Sequence, residues 1–122
     1  KPQRCNQLGS QVDILPTILD LLQIPAVHAS MGRSLLDASQ PHYAVVTDGS
    51  RYAIFTDRYV LLDDMENNIV LYDYDLDPFF KDDLYSKCPE ISEQLKHNLY
   101  AYMQVVSDAI VRNRICRETD LK

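Results

Sequence analysis

The run Asp73-Tyr74-Asp75-Leu76-Asp77 puts three carboxylates at alternate positions, the spacing at which the first, third and fifth oxygens of a calcium-binding loop converge. The rest of such a loop is missing. The sixth place, where the sharp turn needs glycine, holds Pro78, and the twelfth, where a bidentate glutamate belongs, holds Leu84. The expectation is therefore a solvated acidic turn rather than a small calcium-binding domain. His28, His42 and His97 fall on a loop, a strand start and a helix, with no His-x-x-x-His pair and no acidic partner at ligand spacing. They read as surface histidines. His28 shares its loop with Ser30 and Arg33, so His28 and Arg33 form the candidate substrate-contacting pair, facing a ligand in a larger protein.

Cys5, Cys88 and Cys116 leave one thiol over from any single disulfide and lack the paired spacing of a zinc knuckle. A helix running unbroken from Pro89 to Asn113 separates its ends by about 35 Å at about 1.5 Å per residue, which excludes a Cys88–Cys116 bridge. Cys5 pairing with either, or three free thiols, both stay open. None of the three sits in a nucleophile's context, and there is no Ser-His-Asp order, Gly-x-Ser-x-Gly elbow, phosphate loop or dinucleotide fingerprint. No catalytic residue and no metal ligand is assigned, and the chain by itself is expected to be inactive.

The elements that must position these residues begin with a helix. Gly9-Ser10 announces it, with Ser10 as N-cap and Asp13 at the third position completing an acidic capping box. Val12, Ile14, Leu15, Ile18, Leu19, Leu21 and Leu22 follow, apolar on more than one side, so the helix expects burial over most of its circumference. Pro16 lies too deep for a first-turn proline and predicts a 3₁₀ or irregular opening; Ile24-Pro25 predicts the end. Residues 25–41, with Pro25, Gly32, Ser39 and Pro41, form a long connection, the length expected of a link between substructures.

From Tyr43 the pattern turns to short alternating strands, Tyr43–Thr47, Arg51–Thr56, Tyr59–Leu62 and Ile69–Tyr72. Connections this short demand antiparallel neighbours, hence a four-stranded meander. A last helix from near Pro89 carries Ile91, Leu95, Leu99, Tyr102, Val106, Ala109 and Ile110 at helical spacing, a stripe that belongs on the sheet. The tail Ile115–Lys122 is polar enough to fray. The fold class is α+β: a four-stranded antiparallel meander with a packed C-terminal helix, preceded by a helix detached from a parent α/β domain.

Composition narrows the function classes. A net charge of −6 and a pI near 4.8 offer no basic stripe for nucleic acid, which is excluded as a partner. The apolar runs are short and broken by Asp or Pro, so direct membrane insertion is not expected. The opening Lys1-Pro2-Gln3-Arg4 lacks a signal-peptide pattern and reads as a cut within a longer protein. At 122 residues one modest core is available, too little for a two-layer metalloenzyme.

Two segments carry a resemblance. Ser10-Gln11-Val12-Asp13-Ile14-Leu15-Pro16-Thr17-Ile18-Leu19-Asp20-Leu21-Leu22 followed by Met31-Gly32-Arg33-Ser34-Leu35-Leu36 resembles the late signature of the sulfatase branch of the alkaline phosphatase superfamily. Arg51-Tyr52-Ala53-Ile54-Phe55, then Val70-Leu71-Tyr72-Asp73-Tyr74-Asp75-Leu76-Asp77-Pro78 and Asp83-Leu84, is similar to the family's C-terminal strand, turn and closing helix. The wording Ser-Gln-Val-Asp is closest to the lipoteichoic acid synthase-like phosphoglycerol and phosphoethanolamine transferases. In that superfamily a threonine, serine or formylglycine attacks a sulfate or phosphate ester at a divalent metal, which lowers the nucleophile's pKa and offsets charge on the ester oxygens.

The resemblance implies that residues 1–37 end the parent's α/β catalytic domain and that 38–122 form its small C-terminal subdomain. It implies a divalent metal, Mn, Mg, Zn or Ca, in the parent and none here, since neither Cys-x-Pro-x-Arg nor an Asp-His metal pair occurs. It implies as partners the remainder of that α/β domain, or a second copy through the exposed N-terminal helix, and an extracytoplasmic location on a bacterial cell. A free-standing protein-interaction module is the alternative of a different class.

Overall fold

The computed structural model describes residues 7–28, 30–39 and 42–112. The chain divides into two compact units, Lys1–Leu8 with His42–Ala101, and Gly9–Pro41 with Tyr102–Lys122.

In the first unit β1 (Ala44–Thr47), β2 (Tyr52–Phe55), β3 (Tyr59–Asp63) and β4 (Ile69–Asp73) form one antiparallel sheet in sequence order, within a residue or two of the strands expected from alternation. Ile54 faces Leu61, and Leu61 faces Leu71, so the three lie abreast on one face, and all three are fully buried. Short polar side chains close the turns. The Asp48 carboxylate accepts from the Ser50 and Arg51 amides at 2.9 and 2.8 Å, while Gly49 takes a φ of +94° that a side chain would resist. Asp64 accepts from the amides of Glu66, Asn67 and Asn68, which lets Met65 and Asn67 hold positive φ.

The outer edge of β4 does not stay open. The Asp83 carboxylate accepts from the Leu71 amide at 3.0 Å, and the Leu84 amide donates to the Leu71 carbonyl at 2.8 Å, so Asp83-Leu84 satisfies both backbone groups of the edge residue. The acidic run next to it is engaged by donors of its own unit. Arg58 donates to Asp73 through Nε and Nη2, both at 2.8 Å, and holds that carboxyl below the usual carboxylate range. Asp77 accepts from the Lys81 and Asp82 amides instead. Asp73 and Asp77 are held by separate donors, and among the described residues no cluster of His, Cys, Asp or Glu is arranged to hold a metal.

α2 runs Pro89–Val111. Within the first unit its Ser92, Leu95 and Leu99 are buried, and the Tyr100 hydroxyl donates to Asp63 Oδ2 at 2.7 Å. Asp63 lies on the same sheet face as Leu61, so this bond fastens the helix to that face. The expected stripe continues further than the burial does: Ile110 is 60% exposed. Its spacing is helical, but spacing alone does not supply a surface to pack on.

The hydrogen bond to Asp63, with burial second, pushes the Tyr100 hydroxyl up to about 12. A raised folded pKa means this bond stabilises fully below the unfolded tyrosine value of about 10 and is lost as pH rises through the folded one. In an alkaline ultraviolet titration, the difference between wild type and Tyr100→Phe is expected to show one tyrosine ionising late, near pH 12. A difference curve centred near pH 10 instead would mean that the bond does not persist in solution.

In the second unit a 3₁₀ turn, Gln11–Asp13, leads into α1 (Ile14–Leu21), the irregular opening that Pro16 predicts. The helix stops earlier than Ile24-Pro25 suggests. The Ile24 amide reaches the Leu19 carbonyl at 2.9 Å and the Gln23 amide reaches that of Asp20 at 3.0 Å, with Gln23 at φ +55°. This is a Schellman stop made with glutamine where glycine is usual. No described helix is long and apolar enough to cross a membrane. Cys88 is a half-buried free thiol; Cys5, Cys116 and the Ile115–Lys122 tail lie outside the described residues.

Candidate functional site

The second unit is organised by a clasp between α1 and the segment after it. Asp13 is buried and uses both oxygens: Oδ2 accepts from the Ser10 amide at 2.7 Å, closing the capping box, and Oδ1 accepts from the Arg33 amide at 2.9 Å. Thr17 works similarly one turn on, its hydroxyl donating to the Asp13 carbonyl at 2.6 Å and accepting from the Leu35 amide at 3.0 Å. Pro16 has no N–H, so the Val12 carbonyl lacks its i+4 helical donor. The Ser30 hydroxyl donates to it at 2.5 Å.

Close approach at this point requires glycine. A Cβ on Gly32 would lie 2.1 Å from the Val12 carbonyl oxygen and 2.6 Å from the Asp13 nitrogen, both backbone atoms of the helix's opening turn. The signature residues Ser10, Asp13, Pro16, Thr17 and Gly32 thus have one common structural role. They lock residues 30–35 against α1.

The clasp fixes the wall of a cleft of about 320 Å³, lined by Pro16, Leu19, Asp20, Ile24, Pro25, Ala26, His28, Gly32, Arg33 and Ser34, all within the second unit. His28 and Arg33, paired from the sequence, both line it. Ser30 serves the clasp instead. His42 is buried in the first unit, and His97 is exposed on α2. Asp20 and Ser34 were not singled out from sequence: the Ser34 hydroxyl donates to Asp20 Oδ2 at 2.5 Å across the cleft wall. Their separation along the chain hides this pair, and only the ordered recurrence of the two signature segments signals that they meet.

The chemistry open to the cleft follows from its side chains. Its one hydroxyl gives its proton to a carboxylate, a weak base that activates serine poorly. The side chains of Pro16, Leu19, Ile24 and Pro25 alternate with the polar ones of Asp20, His28, Arg33 and Ser34, so the lining offers polar and apolar surface in comparable amounts.

No protein-family model and no curated protein matches the sequence. Solved structures do match, and they are bacterial sulfatases. A 6S-sulfatase from a Bacteroides thetaiotaomicron locus for metabolism of multiple glycosaminoglycans aligns with a TM-score of 0.64 at 21% identity, over 78% of this chain and 25% of its own. A protein solved with its substrate D-glucosamine-2-N,6-O-disulfate aligns at 0.58 and 18% identity, over 79% of this chain and 24% of its own. A 4S-sulfatase from the Bacteroides thetaiotaomicron locus aligns at 0.54 and 23% identity, over 86% and 29%. The chain spans about a quarter of the length of these proteins and shares the fold of that part.

Proposed function

We propose that this chain is the non-catalytic C-terminal portion of a longer sulfatase-family enzyme, in which it buttresses the catalytic α/β domain. The observation that carries the reading is α1, which is built inside out. A surface helix ordinarily turns its apolar stripe inward. Here Asp13, Thr17 and Asp20 face the clasp and cleft, while Ile14, Leu15, Ile18, Leu21 and Leu22 stay 47–67% exposed. At about 100° per residue those five make one uninterrupted, uncharged stripe, the kind that covers a sheet in an α/β layer. The remainder of the parent's α/β domain is the partner that fits it.

The parent's chemistry is the finer part of this proposal. The fold neighbours favour hydrolysis of sulfate esters on sugars, at an extracytoplasmic location where such polymers are found. Transfer of phosphoglycerol or phosphoethanolamine, as in the lipoteichoic acid synthase-like group, rests on Ser10-Gln11-Val12-Asp13 alone. Either chemistry uses a divalent metal, and this reading assigns Mn, Mg, Zn or Ca to the parent enzyme. The second reading is a free-standing protein-interaction module whose exposed α1 stripe binds a protein partner, favoured by the same exposure.

The isolated chain, supplied with Mn, Mg, Zn or Ca, is expected to give no turnover of a chromogenic aryl sulfate or aryl phosphodiester above the protein-free control. Metal-dependent turnover would overturn the proposal. Sedimentation reads what covers the stripe in the isolated chain: a dimer abolished by Ile18→Glu would show a second copy standing in for the missing partner surface.

A further inference from the structure

We propose that the exposed turn after β4 is a docking surface for a basic amphipathic segment of a partner protein, one whose apolar face is flanked by lysine or arginine. Every residue involved belongs to the first unit, so the proposal stands apart from the α1 stripe and from the parent enzyme.

Three observations carry it. The first is apolar surface in the open. Leu76 and Phe79 are 73% and 77% exposed and Phe80 is 45% exposed, all within residues 76–80. Large apolar side chains grouped this way and rimmed by polar ones mark an interaction surface, and phenylalanine is enriched at the centres of such surfaces.

The second is that the turn is held rather than loose. The Asp77 amide donates to the Asp73 carbonyl at 2.7 Å, the Phe80 amide donates to the Asp77 carbonyl at 3.1 Å, and the Asp77 carboxylate accepts from the Lys81 and Asp82 amides. These bonds keep Phe80 at a φ of +53°, a costly conformation for a bulky side chain. Its ring packs on that of Tyr72, with centroids 5.3 Å apart. The display is set before a partner arrives, which limits the ordering cost of binding.

The third is charge, which selects the partner. Residues 73–87 hold five aspartates against two lysines, so the turn is acidic. Its cations are engaged locally: Lys87 pairs with Asp82, Lys81 Nζ lies 5.4 Å from the centroid of the Phe79 ring, and Arg58 from the β2–β3 turn pairs with Asp73. Asp57 and Asp75 are exposed beside Tyr74, whose hydroxyl is pushed up by burial first and then by both carboxylates. A cationic rim on the partner complements this field, whereas an anionic lipid surface is repelled by it.

The test is a ¹⁵N-resolved NMR titration of the full 122-residue chain with a synthetic amphipathic helix of leucine and lysine and with its counterpart of leucine and glutamate. The basic peptide is expected to shift amides of residues 74–82 and to leave those of β2 and β3 unmoved. The acidic one is expected to bind at least about tenfold more weakly. Phe79→Ser should weaken the basic peptide about tenfold or more, and Asp57→Asn combined with Asp75→Asn should weaken it a few-fold and flatten its salt dependence. Leu36→Ser, at an apolar side chain 57% exposed in the second unit, should change nothing. Unmoved sheet amides show that each variant is folded. Equal affinity for the two peptides, shifts confined to α1, or undiminished affinity in Phe79→Ser would each overturn the docking surface. So would the same shifts produced by phosphatidylglycerol vesicles without peptide, which would make lipid the occupant.

Discussion

Gly32→Ala is expected to open the clasp while leaving the four-stranded sheet intact. The new Cβ would sit 2.1 Å from the Val12 carbonyl oxygen and 2.3 Å from its carbon, so the neighbour that must yield is helix backbone, not the end of a flexible side chain. Overpacking costs typically about 1–3 kcal/mol and occasionally more, and a backbone obstruction belongs at the upper end. The simplest escape is for residues 30–35 to lift off α1. That move abandons the Arg33 amide bond to Asp13, the Leu35 amide bond to Thr17 and the Ser30 bond to the Val12 carbonyl together. Hydrogen exchange reads this directly. Protection of the Arg33 and Leu35 amides should fall by about a hundredfold or more, corresponding to about 3 kcal/mol, while the amides of β2 and β3 keep theirs. Undiminished protection at Arg33 would show that the close approach is not maintained in solution. A change at Gly9 provides the contrast. The atoms an added Cβ meets there are the Leu35 side-chain tips at 2.9 and 3.0 Å, which can rotate away.

Leu99→Ala is the second large effect expected, about 2–5 kcal/mol of destabilisation from lost burial and the cavity left behind. Leu99 is fully buried and next in sequence to Tyr100, whose hydroxyl is fastened to Asp63. Emptying its place therefore loosens the apolar and the polar attachment of α2 together, and Leu99→Ala combined with Tyr100→Phe is expected to depart from additivity. Ile110→Ala, on the same helical spacing but at a site 60% exposed, should stay within about 0.5 kcal/mol. Urea unfolding followed by the sheet's amide signals measures both. Comparable effects from Leu99→Ala and Ile110→Ala would mean that α2 is buried along its whole length.

These two positions show how the sequence can be legible in kind and silent in degree. Leu99 and Ile110 fall on one helical stripe and are indistinguishable by periodicity, because periodicity reports which residues share a face and not how much opposing surface there is. The acidic run at Asp73–Asp77 is a related case. Its spacing alone admits a cation loop, and Pro78 and Leu84 argue against one, but which donors claim each carboxylate depends on Arg58 and the 81–82 amides arriving from elsewhere in the chain.

His28 and Arg33 illustrate the reverse. Their shared loop brought them together as a pair from the sequence, whereas Asp20 and Ser34, which complete the cleft wall, gave no local signal. Ser10 and Asp13 were recognised as a capping box from spacing, and the structure has that box. The second use of Asp13, holding the Arg33 amide, was not legible, because it is a contact between residues twenty apart.

What the sequence determined by itself is therefore local. It specified four strands in order with turns short enough to force antiparallel pairing, a capped first helix with an irregular opening at Pro16, and a long last helix beginning at Pro89. Each follows from steric and hydrogen-bonding preferences that act over a few residues. Tertiary structure alone decided that the Pro16 gap would be filled by Ser30, that Gly32 would be pressed against Val12, and that α1 would turn its polar face to its own loop and its apolar stripe outward. Those outcomes depend on which distant backbone groups reach each other first satisfied and then packed, and no short-range preference encodes that.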